Sequence, residues 1–522
     1  MKQRLPVALL LAGVLLRVAA TFPVHAYPAD SDCVIAGLKT LPILSGHLPV
    51  FVVTVRAGAF QLYLHALSFL VFGVSRASLA LAPLLSGCAL LVAFFLFSRL
   101  LFDRATANAA LLFMALPAPA VLFWLYMPNT YAETMLFCAS ALGFAELVRK
   151  DPGRGLPWFG FGLAAGLGLW TSFLTLSCLL PALVWLIWSG AFRRPRRPWL
   201  ALAGLLLGAL PWIAYNLVHP LASFRGNFAS RPAGGLHRIG SNALYLLTYA
   251  LPELVASVDP ENGPNPPTLA QLALRAPVLA IHAAAFLFAL ALAARELRRA
   301  RVGPRGGPRH PVFLLLLVCA SAVSLVVLSE AGQTRGLTVR YVLPLFLVVP
   351  GFLALFLVAV ARRTLAGAGL LGLAVIAFNV SGYFLPGGAT RRAWEERRRT
   401  ADELVAFLHA HQIEVLCGSY WVVYPVNFLS RETIRAIPYE AHPDFDPLGY
   451  AETLPARPQR LALYSQSRKG VETWARSAGI PGSVAAIGPH AFVLLPAVNP
   501  IPEPAPEFLA RLRESAGALL PP

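Results

Sequence analysis

The sequence predicts an α-helical multi-pass membrane protein that ends in a small soluble α/β domain. Three observations lead there. First, apolar blocks of about 20 residues recur from the N-terminus to about residue 384, the length a helix needs to cross a hydrocarbon core. Second, only 13% of the 522 residues are charged and 57% are hydrophobic, whereas ordinary soluble domains carry about 25% charged residues. Third, the basic residues fall in short runs between the blocks, on alternate connections, which is the positive-inside pattern. A transmembrane β-barrel would alternate polar and apolar residues in strands of about ten, and no such alternation is present. The formal charge of +18 therefore reports membrane orientation. Without a basic stripe interleaved with aromatics, nucleic acid is not an expected partner.

The elements follow in chain order. Residues 1–26 carry a basic start, an apolar run and small residues near Ala26, so a cleaved secretory signal is one reading. The favoured reading is a retained first helix, Leu5 to Phe22, with its N-terminus in the cytoplasm and Arg17 either snorkelling outward or pointing into the bundle. A long external loop, 23–77, comes next. Within it Gly58–Phe72 is short and holds Gln61 and His65, so it reads as an interfacial helix. Spans are then predicted at Leu79–Ser98, Ala105–Tyr126 and Tyr131–Leu147, and as a helix pair within Phe159–Ile187 that turns near Thr171 and Ser172. Further spans follow at Leu200–Leu217, Gln271–Ala294, Val312–Leu328, Tyr341–Val360 and Leu365–Phe384. With these about eleven spans, every intermediate basic run lies on one side.

Residues 219–270 form a second long external loop, with a surface helix expected at Asn242–Val255 and a Pro/Asn-rich tip at Asp259–Pro267. After Phe384 the apolar runs shorten. Thr400–Gln412, Tyr420–Leu429 and Gly470–Ala478 read as helices. Ile413–Cys417, Thr433–Ile437, Arg460–Tyr464 and Ala491–Pro496 read as strands. The domains expected are thus 1–384 in the membrane and 385–522 as an external α/β domain. The six cysteines are scattered without metal-ligand spacing; a Cys33–Cys417 disulfide requires both to face the oxidising side.

Chemistry concentrates in the first external loop, which opens with Asp30 and Asp32 beside the membrane. A carboxylate pair there suits a site at the lipid–water interface, although Asp30 also suits the N-cap of a helix beginning near Asp32. In the second external loop Glu133 follows Thr130-Tyr131-Ala132, which is either a second acidic group or a capping box for the returning helix. Arg340-Tyr341 opens a late span, where a guanidinium either anchors in headgroups or binds a phosphate bidentately; Arg335 is the alternate cation. Trp421 lies in an aromatic run, Tyr420 to Phe428, suited to the core of a small domain.

The order of features resembles the first external loop of the GT-C glycosyltransferases, specifically the bacterial dolichyl-phosphate-mannose-protein-mannosyltransferase-like (glycosyltransferase family 39-like) group. That group's pattern D-E-A…G-L…I-L-x-G-x-x-P-V-F…G…E-x-Y-L…F-x-x-F-G is met by Asp32, Gly37, Leu38, Ile43, Leu44, Gly46, Pro49, Val50, Phe51, Gly58, Tyr63, Leu64, Phe69, Phe72 and Gly73. Two acidic positions depart from it: Cys33 follows the aspartate, and Gln61 precedes the tyrosine by two. Weaker likeness continues in Tyr131-Ala132-Glu133-Thr134, in the helix-pair corner Gly166–Ser172, in Arg340-Tyr341-Val342-Leu343-Pro344 and in Tyr420-Trp421…Tyr424…Phe428-Leu429-Ser430.

The resemblance implies a GT-C fold and an inverting transfer of sugar from a polyprenyl-phosphate donor to a glycan, lipid or protein acceptor outside the bacterial plasma membrane. It implies Asp32 as general base, with Asp30 and Glu133 as the other acidic candidates. Arg340, Tyr341 and Arg335 would contact the donor phosphate, and His47, Tyr63, Tyr131 and Trp421 would line the substrate. A divalent cation (Mg or Mn) on Asp32 or Glu133 stays open, because some relatives use one and the second acidic position is altered here. A transporter of lipid-linked saccharide and a catalytically inactive GT-C-like scaffold are the readings from other classes.

Overall fold

A computed structural model of the chain describes residues 4–21, 31–52, 57–193, 197–224, 235–257, 269–302, 310–328, 339–384, 388–440, 446, 448–450, 452, 460–489, 491–497, 510 and 513–514. The chain forms two compact units. One comprises residues 1–22, 55–61 and 80–390, and the other residues 23–54, 62–79 and 391–522. The loop segments 23–54 and 62–79 thus group with the C-terminal residues, a different partition from one drawn along the chain at 384.

The first unit is a multi-pass helical bundle. Every predicted apolar block is helical: Arg4–Thr21, Arg76–Leu101, Arg104–Ala115 with Pro119–Tyr126, Tyr131–Lys150, Gly155–Thr171, Leu176–Trp188, Pro198–Gly208 with Leu210–Val218, Leu269–Val302, Val312–Leu328, Val349–Ala361 and Leu365–Phe384. Among the described residues five helices meet the length and hydropathy needed to cross a membrane, or seven if each of two bent pairs counts as one. The two bent pairs are the spans predicted at Ala105–Tyr126 and Leu200–Leu217. They turn by 72° and 68°. The first break has a local cause in Leu116-Pro117-Ala118-Pro119: neither proline has an N–H, and a residue before proline is pushed out of the helical region. Pro119 then suits the first turn of the new helix.

Helices Gly155–Thr171 and Pro198–Gly208 pack backbone to backbone. A Cβ at Gly162 would lie 1.8 Å from the Ala201 carbonyl oxygen, and one at Gly204 would lie 2.3 Å from that of Phe159. Gly166 and Gly208 make equivalent approaches one turn further on. This is the small-residue packing that lipid-embedded helices use in place of hydrophobic association. The Gly166–Ser172 corner is therefore a packing feature as well as a turn, which comes at Ser172, whose hydroxyl accepts from the Leu174 N–H. In the long loop 219–270, helix Gly235–Tyr245 runs through a wider turn at Leu246–Ala250 into helix Leu251–Ala256. Leu246, Ala250 and Leu254 are buried in the bundle core, so this segment is half-embedded where a surface helix was expected. The tip at 259–267 lies outside the described residues.

The second unit contains helix Ser31–Leu44, most of helix Phe60–Phe72 and a five-stranded sheet with its helices. The strands are β1 (Val415–Gly418), β2 (Arg435–Pro438), β3 (Leu461–Ser465), β4 (Gly482–Gly488) and β5 (Ala491–Pro496), in the order β2-β1-β3-β5-β4. β1 pairs parallel with β2 and β3, whereas β5 pairs antiparallel with β3 and β4. β4 was not expected; Gly482, Ser483 and two alanines give it little apolar signal, and its residues are mostly exposed or half-buried. Val34, Ile35 and Leu38 of the first loop helix join Phe69, Tyr424, Phe428 and Trp474 in one core. The fit is close, since a Cβ at Gly37 would lie 2.6 Å from the Phe428 ring. Cys33 and Cys417 are both buried, and none of the six cysteines forms a disulfide.

Candidate active site

Within the second unit, Asp32 sits in the first turn of helix Ser31–Leu44, where a carboxylate is favoured by the helix dipole. Its Oδ1 accepts a hydrogen bond of 2.7 Å from the Tyr420 hydroxyl. The neighbouring Ser31 hydroxyl donates to the Tyr420 carbonyl at 2.5 Å. The Tyr420 N–H in turn donates to both oxygens of Glu440, at 3.1 and 3.0 Å. Burial pushes the Glu440 carboxyl above its ordinary range, against those backbone hydrogen bonds. One turn of helix thus sends Asp32 to a half-exposed face and Cys33 into the core. The position after the aspartate, acidic in the family pattern, is a packing position here.

The remaining loop residues have separate places. His47 is exposed in the turn after helix Ser31–Leu44. The Tyr63 hydroxyl donates to the Pro49 carbonyl at 2.8 Å and so holds that turn. Trp421 is exposed and meets Tyr420 edge-on at 5.0 Å. Asp30 and Arg335 lie outside the described residues.

Within the first unit, Glu133 is fully buried in the first turn of helix Tyr131–Lys150. It accepts from the Ser86 hydroxyl at 2.7 Å and from the Gln61 amide nitrogen at 3.2 and 3.4 Å. The Gln61 oxygen accepts from the Thr130 N–H at 2.9 Å, which fixes the amide with its NH2 toward the carboxylate. Thr130 takes a left-handed conformation (φ 39°), and its side chain makes no capping bond. The capping-box reading of Thr130–Glu133 is therefore not met, and Gln61 ties down this turn instead. Tyr131 stands edge-on to Trp124 at 5.8 Å. The Arg340 guanidinium lies 5.4 Å from the Trp124 ring centroid and 4.9 Å from that of Tyr341, close enough for cation–π attraction.

The chemistry around Glu133 does not fit a divalent cation. Mg or Mn wants an oxygen cage, whereas Glu133 faces an amide NH2 and a hydroxyl proton. Among the described residues no cluster of three or more His, Cys, Asp and Glu side chains is placed to hold a metal ion. Sequence reasoning missed Ser86, Trp124 and the role of Tyr420. Their only signals were an aromatic pair before the second loop and the tyrosine that opens the Tyr-Trp run.

Comparison with known proteins bears on this arrangement. Residues 59–215 match the family model described as dolichyl-phosphate-mannose-protein mannosyltransferase. The stretch holds Gln61, Ser86, Trp124 and Glu133, while Asp32 and Arg340 lie outside it. The chain is similar in structure to ArnT from Cupriavidus metallidurans, both bound to undecaprenyl phosphate (13% identity, TM-score 0.58) and in the apo state (12% identity, TM-score 0.58). Each comparison covers 92% of this chain and 97% of the ArnT chain. The fold is of the GT-C type. The archaeal oligosaccharyltransferase AglB from Archaeoglobus fulgidus is also similar (13% identity, TM-score 0.49, 97% of this chain and 77% of that one). No curated protein matches at the level of sequence.

Proposed function

We propose that the protein is a membrane glycosyltransferase that transfers a sugar from a polyprenyl-phosphate donor to an acceptor on the external face of a bacterial plasma membrane. One observation carries the reading. Two segments that resemble the family pattern, around Asp32 and around Tyr420, meet through a 2.7 Å hydrogen bond although 388 residues separate them. A tyrosine hydroxyl donating to a half-exposed carboxylate orients that group for an acceptor hydroxyl. Asp32 is accordingly the general base that takes the acceptor's proton. The anomeric carbon gains oxocarbenium character as the bond to the lipid phosphate breaks, as in related glycosyl chemistry. Arg340 stabilises the charge that builds on the departing phosphate, and Tyr341 and Trp124 hold its guanidinium in place. The likeness to ArnT bound to undecaprenyl phosphate supports a lipid phosphate of that class as the donor carrier. Glu133, clamped by Gln61 and Ser86, holds the second external loop, and the neighbouring Tyr131 lines the substrate. In this reading the N-terminus is cytoplasmic and the sheet domain lies outside.

The test is transfer from a panel of radiolabelled polyprenyl-phosphate sugars by the full-length protein in lipid nanodiscs. Wild type should turn over at least one donor. Asp32→Asn should lower turnover by about a hundredfold or more with the thermal midpoint unchanged. Equal turnover by both proteins removes the general-base assignment. Absence of turnover with every donor and an acceptor-rich extract favours the inactive scaffold, a reading to which Cys33 and Gln61 point.

A further inference from the structure

The break between Arg104–Ala115 and Pro119–Tyr126 is held by side chains from three distant parts of the chain. A helix that stops inside a bundle leaves its last carbonyls without N–H donors, and hydrocarbon offers no water to replace them. Four successive carbonyls at this break each accept from a side chain. Arg17 Nη2 donates to Met114 and Nη1 to Ala115, both at 3.1 Å. Asn379 Nδ2 donates to Leu116 at 2.9 Å, and the Tyr383 hydroxyl donates to Pro117. On the far side the Ala120 N–H, in the first turn of the new helix, donates to Ser257 Oγ at 2.8 Å. Arg17 and Ser257 are fully buried, and Asn379 is 4% exposed.

Prolines alone break a helix without fixing where the next one points. Here the 72° turn delivers the short helix Pro119–Tyr126, and with it Trp124, whose ring lies against both the Arg340 guanidinium and Tyr131. We propose that Arg17, Asn379, Tyr383 and Ser257 are positioning residues for Arg340: by satisfying the broken helix they fix Trp124, and Trp124 fixes the guanidinium that meets the donor phosphate. The inference rests on the assignment of Arg340 made above. It gives Arg17 a purpose in the bundle, and the reading in which it snorkels outward is set aside by its burial.

The experiment measures binding of undecaprenyl phosphate to the full-length protein, together with KM and kcat for a productive donor. Arg17→Met should weaken binding by about tenfold, with KM raised and kcat lowered as well, because the displaced guanidinium also serves the departing phosphate. Arg17→Lys, which keeps a donor in place, should recover most of it. Asn379→Leu and Tyr383→Phe are milder changes that read out the same effect if Arg17→Met does not fold. In an Arg340→Ala background none of them should cost anything further, because coupled residues are non-additive. Capping variants that bind like wild type, while Arg340→Ala binds weakly, overturn this inference alone. Capping variants that weaken binding equally in the Arg340→Ala background also overturn it, since they then act on the fold at large. Wild-type binding by Arg340→Ala overturns both the inference and the assignment beneath it.

Discussion

Single residues decide the chemistry of the two acidic constellations. Tyr420 gives Asp32 one fixed hydrogen bond, so Tyr420→Phe should lower kcat/KM by about tenfold with little change in the thermal midpoint, measured by steady-state transfer. Gln61 is the more informative departure from the family pattern. Its amide donates to Glu133 and accepts from Thr130, so a glutamate there would bring two buried carboxylates together, which favours protonation or a cation between them. Gln61→Glu should lower thermal stability at neutral pH and regain it on addition of Mn or Mg, read by a melting curve with and without the ion. No ion-dependent recovery would count against this account of Glu133. His65 supplies a pH prediction. It is fully buried, neither ring nitrogen has a hydrogen-bond partner among the described residues, and burial holds its pKa down at about 3. The unfolded chain then takes up the proton first as pH falls, so stability is intact above the ordinary histidine value and declines below it. For one proton the slope is about 1.4 kcal/mol per pH unit. His65→Leu should flatten this acid limb in melting curves taken between about pH 7 and about pH 5.

Elements carry the precision with which those residues are placed. Helices Gly155–Thr171 and Pro198–Gly208 touch through carbonyl oxygens that a methyl group would strike. Gly162→Ala should therefore destabilise by about 3 kcal/mol or more, seen as a lower thermal midpoint, whereas a change at Gly369, which faces open space, should be nearly silent. The end of helix Gly155–Thr171 also positions residues 57–61, because the Gly58 N–H donates to the Thr171 carbonyl at 3.0 Å and Ala57 bridges to Ser172. Phe60 then meets Phe137 and Trp170 edge-on, leaving Gln61 directed at Glu133. A glycine-rich corner thus reaches the acidic clamp through one short segment of backbone.

Across the protein as a whole, the chain builds two compact units from interleaved segments. Helix Ser31–Leu44, recruited from a loop between spans, completes the core under the sheet. Truncation at residue 384 would therefore separate Asp32 from Tyr420, and the fragment 1–384 should show no transfer even when it inserts in the membrane. Retained activity in that fragment would show that the Tyr420 contact is dispensable.

Membrane class, the positions of the helices and most of the strands are legible in the amino-acid order alone. They follow from hydropathy, proline and charge placement, which act over a turn or a span. A resemblance in order and spacing also singles out Asp32, Glu133 and Arg340. Partnership is what local signals do not hold. Tyr420 pairs with Asp32 across 388 residues, Gln61 turns from a departure into a clamp, and Arg17 caps a helix end 97 residues away. Hydrogen bonds have a reach of about 3 Å, so who satisfies whom is decided only when distant segments are packed together. The broken span shows both halves of the matter. Its prolines announce a break, but the direction of the second half is set by side chains that arrive from the first helix, the last apolar helix and an external loop: three donors and, in Ser257, one acceptor.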